Sequence, residues 1–311
     1  MLAAPLQAMA IQYMQYAAEH GKSYLTVEEY ELRQALYIQT DAVINEHNAT
    51  DSSFKLGHNK FSDFTDYERS QLLGYIAPET DDAETVWLEP TNADSVDWRT
   101  AGAVTAVKDQ GQCGSCWTFS STGALEGAHE IATGKLLSFS EQQIVDCANL
   151  KHGYPSFGCN GGNQSVAFKY LKSNKAELET VYPYTAKNGT CQYNESSATA
   201  VNVSTYTKVT ADNVEQMKAA VAKQPVSVSI EADKMVFQQY KTGIFDSSKC
   251  GTKLDHATLV VGYGSSNGTD YWIMKNSWGT VWGEEGYMQL QIVDGDGICG
   301  IQMGPLYPTS N

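Results

Sequence analysis

The chain has 311 residues, 42% of them hydrophobic, and a formal net charge of −15, a composition ordinary for a globular protein. It contains no run of about 18 apolar residues of the kind that spans a bilayer. The acidity is concentrated early: residues 1–93 hold 15 acidic and 5 basic side chains, against 21 and 16 in residues 94–311, so the clustered Lys and Arg that a nucleic-acid partner needs are missing. All seven cysteines fall between Cys113 and Cys299. Three disulfides would leave one thiol free, and such a framework implies an oxidising, secretory route. Sequons begin at Asn48, Asn163, Asn188, Asn194, Asn202 and Asn267 and are compatible with it. The opening residues have no basic n-region and make a poor signal peptide; the expectation is that the sequence starts near where a signal was removed.

In chain order, Leu6, Met9, Tyr13, Tyr16 and Ala17 recur at helical spacing, and Gly21 ends that helix. Thr26 and Glu29 read as a capping box opening a helix over 27–47, with Tyr30, Leu36, Tyr37, Val43 and Ile44 on its buried face. A plain helical hairpin with a tyrosine-rich core fits this pattern equally. Residues 77–93 contain Pro78, Asp81, Asp82, Glu84, Glu89 and Pro90; prolines among like charges predict an exposed linker open to nicking. The boundary of the next unit falls near residues 90–94.

The stretch from Gln110 to Trp117 organises the rest of the chain. Cys113 and Cys116 sit three apart, and a helical run over 118–133 comes after Trp117. A cysteine in the first turn of a helix feels the positive end of its dipole, which favours thiolate. Gln110 could donate an amide N–H to a developing oxyanion. The same pair could be a redox couple, half a zinc site, or part of structural disulfides. No second Cys-x-x-Cys or His-x-x-x-His supports zinc, and a redox site usually carries its Trp before the pair. In the helix, Phe119, Ala124, Ala128 and Ile131 form one stripe, Gly123 and Gly127 admit a close neighbour, and Gly134 is the stop. Ser140 opens a short helix ending near Cys147, Gly158 to Gly162 is a tight turn, and residues 164–173 are a third helix. Strands are predicted from Val201, Val203 and Tyr206, then over 225–230, 258–263, 271–275 and 287–292, with a turn at Asn267-Gly268. Helices early and strands late predict an α+β protein with two lobes.

A thiolate nucleophile needs a base and a group that orients the base. His256 and Asn276 answer that need, 140 and 160 residues after Cys116. His256 would share the proton of Cys116 as an imidazolium–thiolate pair. Asn276 would hold the other ring nitrogen. Trp278 would cover them, and Gln110 with the Cys116 backbone N–H would form an oxyanion hole.

Several motifs carry a resemblance to the papain-like (C1) cysteine proteases, in particular to a cathepsin L-like proenzyme with an I29-type inhibitory prosegment. They are Cys113-Gly114-Ser115-Cys116-Trp117, Gly158-Cys159-Asn160-Gly161-Gly162, Asp255-His256 and Asn276-Ser277-Trp278-Gly279, with Ser95-Val96-Asp97-Trp98-Arg99 resembling a mature N-terminus. Upstream, Glu29, Arg33, Leu36, Tyr37, Ile44 and Asn48 follow the family's interrupted Glu-Arg-Phe-Asn-Ile-Asn pattern, Thr40 departing where Asn is usual. Gly57, Asn59, Phe61 and Asp63 follow its Gly-x-Asn-x-Phe-x-Asp pattern.

The resemblance implies a papain-like α+β fold: an inhibitory prodomain (1–76) lying non-productively through the cleft, an activation linker (77–93), and a peptidase domain (94–311). In that domain a helical lobe lies mainly in 94–200 and an antiparallel β-barrel-like lobe mainly in 201–311. It implies the pairs Cys113–Cys159, Cys147–Cys191 and Cys250–Cys299, leaving Cys116 free. The substrate pocket would be lined by Asn163, Gln164, Ser229, Leu254, Ala257 and Gly304, with Trp278 nearby. Where relatives carry apolar residues, Asn163 and Gln164 imply tolerance of polar side chains, unless both point to solvent at the rim. Only eleven residues separate Cys147 from Cys159, with no long paired-histidine insertion of the cathepsin B type, so an open cleft and endopeptidase action are implied. The family implies no cofactor and no metal. Partners would be polypeptide substrates, the chain's own prosegment and cystatin-type inhibitors, with no nucleic acid or membrane and a monomeric state. The setting would be a lysosome or other acidic vacuole, or secretion, with activation in acid. The rival classes are a thiol-disulfide oxidoreductase using Cys113 and Cys116, and a non-enzymatic storage protein, which would need a broken catalytic set.

Overall fold

The two N-terminal helical patterns fold as a hairpin, α1 (Ala4–Glu19) and α2 (Val27–Asn48), in the computed structural model, which describes residues 4–79 and 83–311. The side chain of Leu6, and Asp81 and Asp82 of the linker, lie outside the described residues. Tyr13, Tyr16 and Tyr37 bury their rings together, with centroids 4.8–6.0 Å apart. Phenols in a core need partners: Asp63, fully buried, accepts from Tyr16 (3.1 Å), from Lys22 (2.8 Å) and from Tyr24. Thr26 caps α2, but Glu29 turns to Arg33 (3.4 Å) instead of closing the box. The complete capping box is Thr65 with Glu68, at the start of α3 (Asp66–Ser70). Val43 is exposed, contrary to the reading of α2, whereas Thr40 is fully buried beneath Arg69 and Met235.

The strands are β1 (Phe54–Leu56), β2 (Glu84–Thr85), β3 (Val96–Asp97), β4 (Val203–Lys208), β5 (Val226–Ile230), β6 (Tyr240–Phe245), β7 (His256–Ser266), β8 (Thr269–Lys275), β9 (Tyr287–Gln291) and β10 (Leu306–Ser310). Among the described residues they form one sheet in the order β1-β6-β9-β8-β7-β5-β10-β4-β2, with β3 on β7. The outermost strands both come from residues before 94: β1 runs antiparallel to β6, and β2 parallel to β4. Asn267 and Gly268 turn β7 into β8 at φ 51° and 79°, the left-handed pair that a tight hairpin requires. Strand β10 escapes the sequence reading because Pro308 lies in it. It is tolerated since β10 pairs with β4 along its length but with β5 only at Leu306.

The remaining helices are α4 (Cys116–Thr133), α5 (Glu141–Cys147), α6 (Gln164–Ser173), α7 (Val214–Val221) and α8 (Met235–Gln238). Helix α4 is buried from Cys116 to His129. A Cβ at Gly123 would stand 2.8 Å from Leu259, and one at Gly127 2.6 Å from Pro225, so only glycine lets the helix lie this close to the sheet. Ile131, assigned to the same buried stripe, is 40% exposed: it lies in the last turn of α4, beyond the run buried from Cys116 to His129. One core gathers Trp117, Leu125, Phe168 and Leu259 around α4; another gathers Trp272, Trp278, Trp282, Phe237 and Phe245, and takes in Phe54, Leu56, Phe61 and Leu72 from the N-terminal segment.

The linker is less loose than its composition suggests. Leu88 is buried, and its N–H and carbonyl are both bonded by the Gln216 side chain (2.7 and 2.8 Å), which mimics a neighbouring strand. The disulfides are Cys113–Cys159, Cys147–Cys191 and Cys250–Cys299, leaving Cys116 as the free thiol. Among the described residues, no helix is long and apolar enough to cross a membrane.

Candidate active site

Cys116 is the first residue of α4 and is fully buried. The loop before it is stapled by Cys113–Cys159 and by Gly114 N–H donating to the Cys159 carbonyl at 2.8 Å. That disulfide removes Cys113 as a redox partner, so the oxidoreductase reading falls. On the sheet, His256 opens β7 and Asn276 follows β8. Their antiparallel pairing, Leu259 opposite Lys275, brings the two side chains together. Asn276 Oδ1 accepts from the Ser277 N–H at 2.8 Å, so the ring nitrogen Nε2 of His256, also 2.8 Å from Oδ1, is the donor. That fixes the tautomer and leaves Nδ1 unprotonated; it is buried and makes no hydrogen bond. Trp278 covers the ring at a centroid distance of 4.7 Å.

Gln110 is equally fixed. Its N–H donates to the Ser277 carbonyl (2.8 Å), and its Oε1 accepts from Ser277 Oγ (2.7 Å). Nε2 is thereby aimed into the cleft, where it donates to the carbonyl of Leu72 at 2.9 Å. Ser277 escapes the sequence reading; its only signal is a hydroxyl beside Asn276.

The cleft is filled by residues 72–76. Gly162 N–H donates to the Gly74 carbonyl (2.9 Å), Ile76 N–H to the Gly162 carbonyl (2.8 Å), and Tyr75 N–H to the Asp255 carbonyl (2.9 Å). Tyr75 and Gly162 form a parallel bridge. Gly74 presents its N–H to the Cys116 sulfur, while the oxygen at Gln110 belongs to Leu72, two residues earlier. Phe61 packs edge-on against Trp278 at 5.4 Å, Asn59 Nδ2 donates to the Gln238 carbonyl at 2.8 Å, and Lys60 pairs with Asp109.

This cover sets the electrostatics. Burial pushes the Cys116 thiol up to about 12, despite the N–H groups of Ala257, Gly74 and Trp117 that favour its thiolate. Burial likewise lowers His256 to about 4, although Asn276 and the Leu72 carbonyl favour the charged ring. Burial therefore pushes both partners of the expected ion pair toward their neutral forms while the site is covered. Asp255 is raised to about 7 by burial and by Asp233 and Glu231, in spite of the Ala232 N–H at 2.8 Å.

Of the residues expected to line a substrate pocket, Asn163, Gln164 and Gly304 line one cavity together with Tyr75 and Met303. Asn163 and Gln164 are 4% and 1% exposed, so neither is a solvent-facing rim residue. Asn163 caps α6 through Oδ1 and donates from Nδ2 to the Ile76 carbonyl at 3.1 Å. Gln164 donates to the Val228 carbonyl and to Ser229 Oγ, both at 3.0 Å, placing Ser229 behind it, opposite Ala257 in the β5–β7 ladder. Leu254 packs toward Gly300 and is not among this pocket's walls. Trp278 lies away from it, over His256. The main-chain anchors Gly162 and Asp255 left no side-chain signal as binding groups.

Comparison with known proteins agrees with this architecture. The profile of the papain family cysteine proteases matches residues 92–309, and that of the cathepsin propeptide inhibitor domain (I29) matches residues 13–68. The chain is 42% identical over 308 residues to the probable cysteine protease RD21B of Arabidopsis thaliana, across 95% of this chain and 65% of that protein, so it spans slightly under two thirds of that relative's length. It is 44% identical to cysteine proteinase 3 of Solanum lycopersicum, across 96% and 84% of the two chains. Among solved structures, digestive procathepsin L2 proteinase from Tenebrio molitor larval midgut superposes with a TM-score of 0.90 at 34% identity, covering 97% of this chain and 99% of that one.

Proposed function

Since the chain belongs to the papain family of cysteine proteases and carries a cathepsin-type propeptide inhibitor domain, we propose that it is the zymogen of an acid-activated endopeptidase acting on extended polypeptides. Cys116 attacks the scissile carbonyl, His256 takes and returns the proton, Asn276 keeps the ring oriented, and Gln110 with the Cys116 N–H stabilises the oxyanion. The acyl-enzyme formed on Cys116 is released by water activated by the same imidazole. In the zymogen, residues 1–76 block the cleft and residues 77–93 are the segment cut on activation, which frees the peptidase domain 94–311. Removing the cover readmits water and allows thiolate and imidazolium to form as a pair.

The observation that carries this reading is the Leu72 carbonyl, which occupies the Gln110 donor position while Gly74, two residues further along the same segment, presents its N–H to the free thiol of Cys116. The buried amides of Asn163 and Gln164 support acceptance of polar side chains at the second residue before the scissile bond. The acidic prosegment supports activation in a lysosome, another acidic vacuole or the secretory path; cystatin-type proteins are the expected inhibitors and a monomer the expected state. The test is acid incubation of the full chain followed by assay on a fluorogenic dipeptide, with and without an epoxide thiol trap. Activity that appears as the chain shortens and is abolished by the trap and by Cys116→Ser supports the reading; activity surviving Cys116→Ser defeats it.

A further inference from the structure

A serine at the N-cap of a helix ordinarily turns its hydroxyl onto the first-turn N–H groups. Ser115, the N-cap of α4, does not: its side chain makes no capping bond. It is fully buried, and its Oγ lies 2.6 Å from the hydroxyl of Tyr184. That phenol also donates to the main-chain carbonyl of Gln110 at 2.9 Å. A phenol has one proton, and Gln110 takes it, so the Ser115 hydroxyl is the donor in the other bond. The ring is held edge-on against Phe119 at 4.9 Å, and the Tyr184 N–H donates to Glu179 at 2.9 Å. One side chain thus ties together both ends of the loop 110–115.

Those two ends carry the two proposed oxyanion donors, the Gln110 amide and the Cys116 N–H. We propose that Tyr184 is a positioning residue for the oxyanion hole. It fixes the main chain of Gln110, and through the Ser115 hydroxyl it fixes the residue that immediately precedes Cys116 and its N–H. Neither bond made by the phenol involves the prosegment, so the brace survives activation. The inference rests on the functional reading above.

The test uses the activated enzyme at equal active-site concentration, determined by titration with the epoxide. Tyr184→Phe keeps the ring and removes the hydroxyl. The expected result is a fall in kcat of about 10- to 100-fold with KM within about threefold, since a displaced oxyanion donor costs transition-state binding. Affinity for a peptide aldehyde, whose thiol adduct carries the oxyanion, should fall by the same factor. Alkylation by iodoacetamide, which forms no oxyanion, should keep its rate and pH profile. Ser115→Ala should show the same pattern more weakly, and the double variant less than the product of the two. Wild-type kcat in Tyr184→Phe overturns the proposal, as does an equal loss in hydrolysis and alkylation, which is the mark of a merely structural role. If Tyr184→Phe does not mature, Ser115→Ala decides by the same comparison. A wild-type protein that fails to hydrolyse peptides after activation defeats the functional reading instead.

Discussion

Gly74 is the point at which the inhibitory segment passes the catalytic loop. A Cβ built there would lie 1.9 Å from the Gly114 carbonyl oxygen and 2.3 Å from its carbon. Both are backbone atoms beside the Cys113–Cys159 bridge, so the loop cannot yield and the segment must lift. Lifting it breaks three main-chain hydrogen bonds: Gly162 to Gly74, Tyr75 to Asp255, and Ile76 to Gly162, at 2.8–2.9 Å. At about 1 kcal/mol each, Gly74→Ala should weaken the cover by about 3 kcal/mol, roughly 150-fold. The assay is thiol labelling of the intact proenzyme at neutral pH, where labelling of Cys116 requires the segment to open. Its rate should rise by about two orders of magnitude. On the proposed activation residue 74 leaves with the prosegment, so the activated variant and wild type should be the same molecule and share kcat and KM. A labelling rate within about threefold of wild type would refute the reasoning, because it would mean the contact with Gly114 does not hold the segment in place.

The pH dependence of the cover follows from His256. Its pKa of about 4 when covered lies below the ordinary 6.5, so the hold is full above pH 6.5 and is lost as pH falls toward 4. In the Cys116→Ser proenzyme, where no thiolate can pair with the uncovered ring, the loss at pH 5 is about 2 kcal/mol, or about 30-fold in opening, read as faster nicking by an added protease; His256→Asn in that background should remove this component, leaving any contribution from Asp255, which has the opposite sign. Glu68, by contrast, would be raised by burial, but its bonds from Arg33 and Thr65 hold it at about 2. Its contribution is present above the ordinary carboxylate value and is lost only as pH drops toward 2, so Glu68→Gln should lower the urea midpoint of the proenzyme without changing its pH profile between 5 and 8. Arg33→Ala should cost the prosegment about 2 kcal/mol through lost charge-assisted bonds, seen as faster nicking of residues 1–76 with the activated enzyme unaffected. Gln164→Leu should raise the preference for Leu over Gln at the second residue before the scissile bond by about tenfold in kcat/KM; unchanged peptide-library profiles would remove Gln164 from the specificity pocket.

The chemistry-bearing residues were legible from sequence because their roles demand side-chain types. A free cysteine at a helix start, a histidine before a strand and an Asn-Ser-Trp-Gly run after another leave few alternatives. The blocking contacts were not legible, because Leu72, Gly74, Gly162 and Asp255 act through main-chain atoms that any sequence supplies. Strand β10 was hidden by Pro308, and β6 by Gly243 within it, since both residues argue locally against pairing and only the neighbouring strand decides. Val43 fits a helical stripe but lies beside the buried face marked by Tyr37, Thr40 and Ile44, and Ile131 lies in the last turn of its helix. The electrostatics of the site are hidden for a similar reason: the residue types of Cys116 and His256 imply an ion pair, and the segment that buries both pushes each toward its neutral form.

The sheet ends differently before and after activation. In the proenzyme its outermost strands are β1 and β2, of three and two residues, and ladders that short offer a stray chain almost nothing to continue. On the proposed maturation, with its boundary near residues 90–94, both would leave and β6 and β4, six residues each, would become the outermost strands. On that proposal the prosegment also terminates the sheet at both sides, and its loss would leave two longer flanks open to strand addition.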